Sequence, residues 1–192
     1  MGATRGRGRA PLAERQQRHA AVDDPAVVLE TAAAFIAVRP RSIGETRRRL
    51  ASAGYRADLV DHVIERLSAY GYLDDAAFGR AWLESRDRAR PRGTHALRGE
   101  LLAKGLDRDL VTVLLAERGD AAAADAVTPD LAAARQLLAR RGGAVRSEPD
   151  PRRRRERSYA LLARHGFDPD VIREALAAWL AEGADDVPEE DD

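Results

Sequence analysis

A five-part pattern occurs three times in the chain and narrows what it can fold into. Leu50, three residues, Gly54, Tyr55, two residues, then Asp58, Leu59 and Val60 make the first copy. Leu101, Gly105, Leu106, Asp109, Leu110 and Val111 make the second, and Leu162, Gly166, Phe167, Asp170, Val171 and Ile172 the third. Read physically, each copy is a helix that ends on a glycine free to adopt the left-handed conformation, a short turn, and a new helix whose first turn carries a carboxylate near its positive end. The glycines stand 51 and 61 residues apart. The chain therefore reads as three tandem helical units, each closing its apolar face against its neighbours.

Composition agrees with helices. Hydrophobic residues make up 44% of the 192, aromatics only 5%, and no strand-like alternation interrupts the Ala, Leu, Arg and Glu background. The absence of Cys excludes disulfides and Cys-based metal centres, and no apolar run reaches the ~18 residues of a membrane span or forms a signal-peptide core. A cytoplasmic location is expected. Formal net charge is zero but unevenly placed. Residues 1–23 carry five arginines against Glu14 and Asp23, residues 182–192 carry seven acids and no base, and Lys104 is the single lysine of the chain. The extremes, 1–23 and 183–192, read as a flexible basic tail and a disordered acidic tail.

Between the tails the punctuation sets three repeats: residues 24–72, 73–119 and 120–182. Asp24-Pro25 opens a helix, Ser42 and Glu45 form a capping box for the next, and Gly54 separates it from a third that ends near Gly71. Gly71-Tyr72-Leu73-Asp74-Asp75, followed by Phe78, is the sharpest short signal: a glycine stop, a capping aspartate and an apolar staple. Arg90-Pro91-Arg92-Gly93 repeats Arg39-Pro40-Arg41-Ser42 after 51 residues, so the basic connection belongs to the repeat. In the third repeat a Gly-, Ser- and Pro-containing stretch, 142–151, reads as a long mobile loop.

Catalysis finds little support. His19, His62, His95 and His165 are scattered, no phosphate-cradling glycine loop occurs, and helix capping accounts for Asp74 and Asp75 without acid–base chemistry. Trp82 and Trp179 fall on apolar faces, where core packing outweighs base stacking. No cofactor or metal is expected. What remains is basic surface on the second helix of each repeat and the connection before it: Arg39, Arg41, Arg47 and Arg48; Arg86, Arg90, Arg92, Arg98 and Lys104; Arg153 and Arg154. Such a stripe suits a polyanion or an acidic protein groove, although arginine runs also serve as plain solvated faces.

With these residues assembled, the chain resembles the RecX family, bacterial regulators of the RecA recombinase. The resemblance rests on Arg39 to Ser42 with Glu45 and Leu50, on Gly71 to Asp75 with Phe78 and Arg86, and on Gly93 through Leu101 to Lys104-Gly105-Leu106. It spans roughly residues 28–180 and is weakest in the third repeat, where His165 stands in place of Lys104. The resemblance implies an all-α protein of three tandem three-helix repeats, an elongated curved solenoid-like body lying in the groove of the RecA–DNA filament. It further implies inhibition by binding, which lowers the ATPase, strand-exchange and co-protease activities of RecA, with the basic residues above facing the filament and Gly54, Gly71, Tyr72, Leu73, Asp74, Asp75, Phe78 and Gly105 serving the fold. A monomer is expected, and direct helix-turn-helix-like DNA binding is the alternative.

Overall fold

The computed structural model describes residues 11–120 and 127–182, and every regular element in them is an α-helix. In chain order these are α1 (Leu12–Ala20), α2 (Pro25–Ile36), α3 (Ile43–Ala53), α4 (Ala57–Ala69), α5 (Asp75–Ala89), α6 (Thr94–Lys104), α7 (Arg108–Asp120), α8 (Pro129–Arg141), α9 (Gly143–Arg146), α10 (Pro151–Arg164) and α11 (Pro169–Glu182). Two compact units divide the chain, residues 1–78 and 79–192.

The repeated pattern does what its chemistry requires. Gly54, Gly71, Gly105 and Gly166 all have positive φ, and no other described residue does. Leu50, Leu101 and Leu162, one per copy, are each fully buried, and the apolar residue after each glycine (Tyr55, Leu106, Phe167) is buried too. Each of those leucines, shortened to Ala, would cost about 2–5 kcal/mol by lost transfer energy and residual cavity.

In the first unit, Val28 and Ala32 of α2, Leu50 of α3, and Leu59, Val60, Val63, Ile64 and Leu67 of α4 form one core with Tyr55 and Leu73. Asp24 accepts from the N–H of Ala26 at 2.8 Å with Pro25 in the first helical turn, and Ser42 and Glu45 form the expected reciprocal capping box.

The start of this unit departs from the expected flexible tail. Residues 12–20 are helical and lie on the turn between α3 and α4. Gln16 donates from its side-chain amide to the Ser52 carbonyl at 3.0 Å, His19 Nδ1 lies 2.7 Å from the Ala53 carbonyl, and the His19 ring stacks on Tyr55 at 4.4 Å. A helix of this length is marginal alone. Its anchors are tertiary and polar, which is why hydrophobic periodicity did not disclose it. The basic residues 1–10 and the acidic residues 183–192 lie outside the described residues.

In the second unit, α5, α6 and α7 bury Leu83, Leu97, Leu101, Leu106, Val111, Leu114 and Leu115. A separate core joins Leu131, Ala134, Leu137 and Leu138 of α8 to Leu162 of α10 and Ile172, Ala175, Leu176 and Trp179 of α11. Residues 142–151 are not a structureless loop. They hold the short helix α9, with Val145 against this core, and Gly142 lies so near Trp179 that a Cβ there would sit 2.7 Å from the indole. Trp179 has its own cation, Arg146, 4.8 Å from the ring centroid.

Candidate functional site

The basic residues predicted from sequence form two groups, one in each unit. In the first, Arg39 pairs with Glu45 at 3.1 Å and Arg47 with Asp61 at 3.0 Å, while Arg48 is exposed on α3. Arg41 does not face solvent freely. Its guanidinium lies 4.0 Å from the Phe35 ring centroid and its Nε is buried without a hydrogen-bond partner, so it packs as an amphipathic side chain.

The second unit builds a tighter arrangement around Trp82. The indole Nε1 donates to Glu100 at 2.9 Å, Arg86 donates to the same carboxylate at 2.6 Å, and Arg92 approaches it at 3.8 Å. Arg86 and Lys104 lie over the Trp82 ring at 4.4 and 4.6 Å. Trp82 is half-buried, and its role is to hold two cations in place rather than to fill a core. Arg98 is spent on Thr112 at 3.1 Å, and Arg90 is exposed. On α10, Arg153 pairs with Asp150 at 3.5 Å and Arg154 donates to the Glu148 carbonyl at 3.0 Å, while Arg157 meets the Glu148 carboxylate at 2.6 Å. Much of the stripe thus has local partners, and its outward charge is smaller than a count of arginines suggests.

Sequence reasoning missed Arg118. This arginine, 8% exposed, is gripped by Asp87 at 2.8 Å and Asp130 at 2.7 Å, and Asp130 in turn accepts from the Thr94 N–H at 2.9 Å and its hydroxyl at 3.0 Å. Burial opposes the charge, but the two carboxylates outweigh it and hold Arg118 above its ordinary value. Four helices (α5, α6, α7 and α8) meet at this cluster. Glu100 was missed for the same reason: its partners lie 14 and 18 residues away, beyond any helical spacing.

The signature residues do structural work. Asp74 caps α5 through the Ala77 N–H at 2.9 Å, and Asp75 reaches back to the Ile43 N–H at 2.8 Å. Leu73 and Phe78 are buried, whereas Tyr70 and Tyr72 are exposed on either side of Gly71. Among the described residues no group of three or more His, Asp or Glu is placed to hold a metal, and no helix is long and apolar enough to cross a membrane.

Comparison with known proteins places these features in a family. The RecX first, second and third three-helix domains match residues 29–67, 74–115 and 129–176 in that order. The chain is 35% identical over 147 residues to the regulatory protein RecX of Mycobacterium ulcerans (strain Agy99), covering 77% of this chain and 81% of that one. It is 34% identical over 153 residues to that of Pelodictyon phaeoclathratiforme (strain DSM 5477 / BU-1), covering 79% and 88%. The crystal structure of RecX from Lactobacillus salivarius aligns with a TM-score of 0.70 at 16% identity over 83% of this chain and 98% of that one, a likeness of fold. Three domain matches in the family's order, with relatives this similar over three quarters of the chain, make it a member of the RecX family of regulatory proteins.

Proposed function

We propose that this chain binds the RecA–DNA filament and restrains RecA, acting by occupancy and not by catalysis. The observation that carries the reading is the match to all three RecX domains across residues 29–176. The basic residues on and before the second helix of each repeat supply a fitting chemistry, since the filament presents phosphates and acidic side chains. On this reading the protein works as a monomer in the cytoplasm, and Arg47, Arg48, Arg90, Arg92, Arg98 and Lys104 face the filament. The experiment is the DNA-dependent ATPase of RecA from the same host, titrated with the purified chain. Suppression at substoichiometric amounts is expected; unchanged ATPase at excess removes the reading. Direct DNA binding is the second reading, favoured by the glycine-jointed helix pairs and the arginines on the second helix of each repeat, and strong duplex binding without RecA would promote it.

A further inference from the structure

While many arginines of this protein have found carboxylates, one recess in the second unit has none. Its volume is about 310 Å³, and it lies between the end of α8, the Ala89–Arg92 connection and the turn after α10. Arg90, Arg92, Arg140, Arg141 and His165 line it beside the apolar Pro91 and Leu137, with no acidic residue in the lining.

Each cation there keeps a charge to offer. Arg140 is fixed by two neutral acceptors, the carbonyls of Ala89 at 3.0 Å and Arg88 at 3.2 Å, which orient the guanidinium without cancelling it. Arg92 stands 3.8 Å from a carboxylate that Arg86 already holds at 2.6 Å. Arg90 and Arg141 are exposed and form no ion pair among the described residues. His165 Nδ1 lies 2.8 Å from the Leu161 carbonyl; a carbonyl only accepts, so Nδ1 carries the hydrogen and Nε2 is the nitrogen left for another partner. Apart from the long approach of Arg92 to Glu100, these cations are gathered without counter-charges and repel one another, and plain solvation gives no reason to bring them from three separate segments to one recess.

We propose that this recess binds a phosphodiester of a DNA strand. The non-bridging oxygens of a phosphodiester accept from several directions at once and favour guanidinium donors, as those arriving here from separate segments would supply. Arg90 and Arg141 reach the oxygens, Arg140 supplies fixed field, and His165, in the same lining, reports on what enters the recess. The assignment rests on the functional reading above only in that the filament supplies the DNA; its chemistry stands by itself.

The test uses the full chain and a single-stranded oligothymidylate in the absence of RecA, followed through the His165 ring resonances and through affinity against salt. A saturable shift of the His165 signals is expected, and Arg90→Gln with Arg141→Gln should abolish it. Two lost contacts on a single strand should also flatten the slope of log affinity against log salt by about 1.4. Both positions are exposed, so circular dichroism should be unchanged. The proposal is overturned if His165 does not respond at millimolar oligonucleotide, if the double variant keeps the parent's slope, or if a glutamate-rich peptide of equal charge moves His165 as strongly. The RecA ATPase assay then separates the two claims. A parent that binds the oligonucleotide yet leaves RecA untouched sinks the functional reading and leaves the recess standing; a parent that inhibits RecA without a His165 response does the reverse.

Discussion

The carboxylate of Asp75, at the start of α5, accepts a hydrogen bond from the backbone N–H of Ile43 at 2.8 Å and so caps α3 from 32 residues away. Asp130, near the start of α8, does the same for Thr94 at the start of α6, 36 residues back, at 2.9 Å. In both cases the first helix of the following repeat closes the second helix of the one before. The third repeat has no such helix after it among the described residues, and α10 is capped from within, by Asp150 on the N–H of Arg152 at 2.9 Å. The repeats are thereby stitched by polar groups as well as by their apolar faces.

This arrangement gives Asp75 a measurable pH signature. Burial is the largest influence and pushes its carboxyl up, the Ile43 N–H pulls it down, and the neighbouring Asp74 pushes it up again, leaving it above the ordinary 3.8. The folded state then holds this proton to higher pH than the unfolded chain, so the contribution is fully present below the ordinary value and is lost as pH rises through the raised one. Asp75→Asn keeps the accepting oxygen and removes the titration: its stability in urea between pH 4 and 7 should lack the parent's falling component. Asp75→Ala loses the cap and should cost about 1 kcal/mol. An Asn variant with the parent's slope would contradict the assignment.

Arg118 offers the largest single-residue effect. Removing it leaves Asp87 and Asp130 facing each other's charge without a cation, and breaking a buried pair from one side costs about 3–5 kcal/mol. Arg118→Ala should lower the urea midpoint accordingly. Arg118→Lys should recover only part, because an ammonium cannot reproduce the fork that spans both carboxylates. A Lys variant as stable as the parent would show that charge alone matters there, and one no better than the Ala variant that the positive charge contributes nothing without the fork.

The contrast between what sequence revealed and what it hid follows from interaction range. The joints at Gly54, Gly105 and Gly166 were legible because local chemistry decides them: a left-handed glycine, an apolar residue behind it, a carboxylate in the next turn. The Asp24, Ser42 and Asp74 caps were legible for the same reason. The pairing of Arg86 and Trp82 with Glu100, and of Arg118 with Asp87 and Asp130, depends on which helices meet, and no spacing within one helix encodes that. Helix α1 escaped notice because it buries no residue and is held by side chains reaching main-chain carbonyls.

Two glycines with the same backbone sign should respond differently to the same substitution. Gly71 has φ +74° and open space where a Cβ would go, so Gly71→Ala meets only the left-handed penalty, about 1 kcal/mol. Gly54 has φ +102°, and a Cβ there would lie 2.7 Å from Gln16 Cα, inside α1. Gly54→Ala should therefore cost more and free α1, seen as faster proteolysis near residues 12–20. In a chain lacking residues 1–21 the excess cost should vanish, leaving Gly54→Ala and Gly71→Ala equal. An excess that survives the deletion would show that α1 is not what the Cβ meets.

Glu100 gives a prediction that runs opposite to the usual loss on mutation. Its carboxylate holds Arg86, draws Arg92 and orients Trp82, so it both places these cations and cancels part of their charge. Glu100→Gln keeps an oxygen for the indole N–H and for Arg86 but removes the negative charge, and losing the charged character of those bonds should cost about 1–2 kcal/mol of stability. If the basic residues around Trp82 meet phosphates or acidic groups on the filament, the variant should bind it more tightly at low salt, with a steeper salt dependence, because one more net positive charge faces the polyanion. Trp82→Leu should act the other way, removing the ring that aligns Arg86 and Lys104, and weaken binding while the total charge is unchanged. Filament association measured at two salt concentrations for the parent and both variants decides the matter: unaltered binding by Glu100→Gln would mean that this group of cations stands clear of the filament, whatever the rest of the surface does.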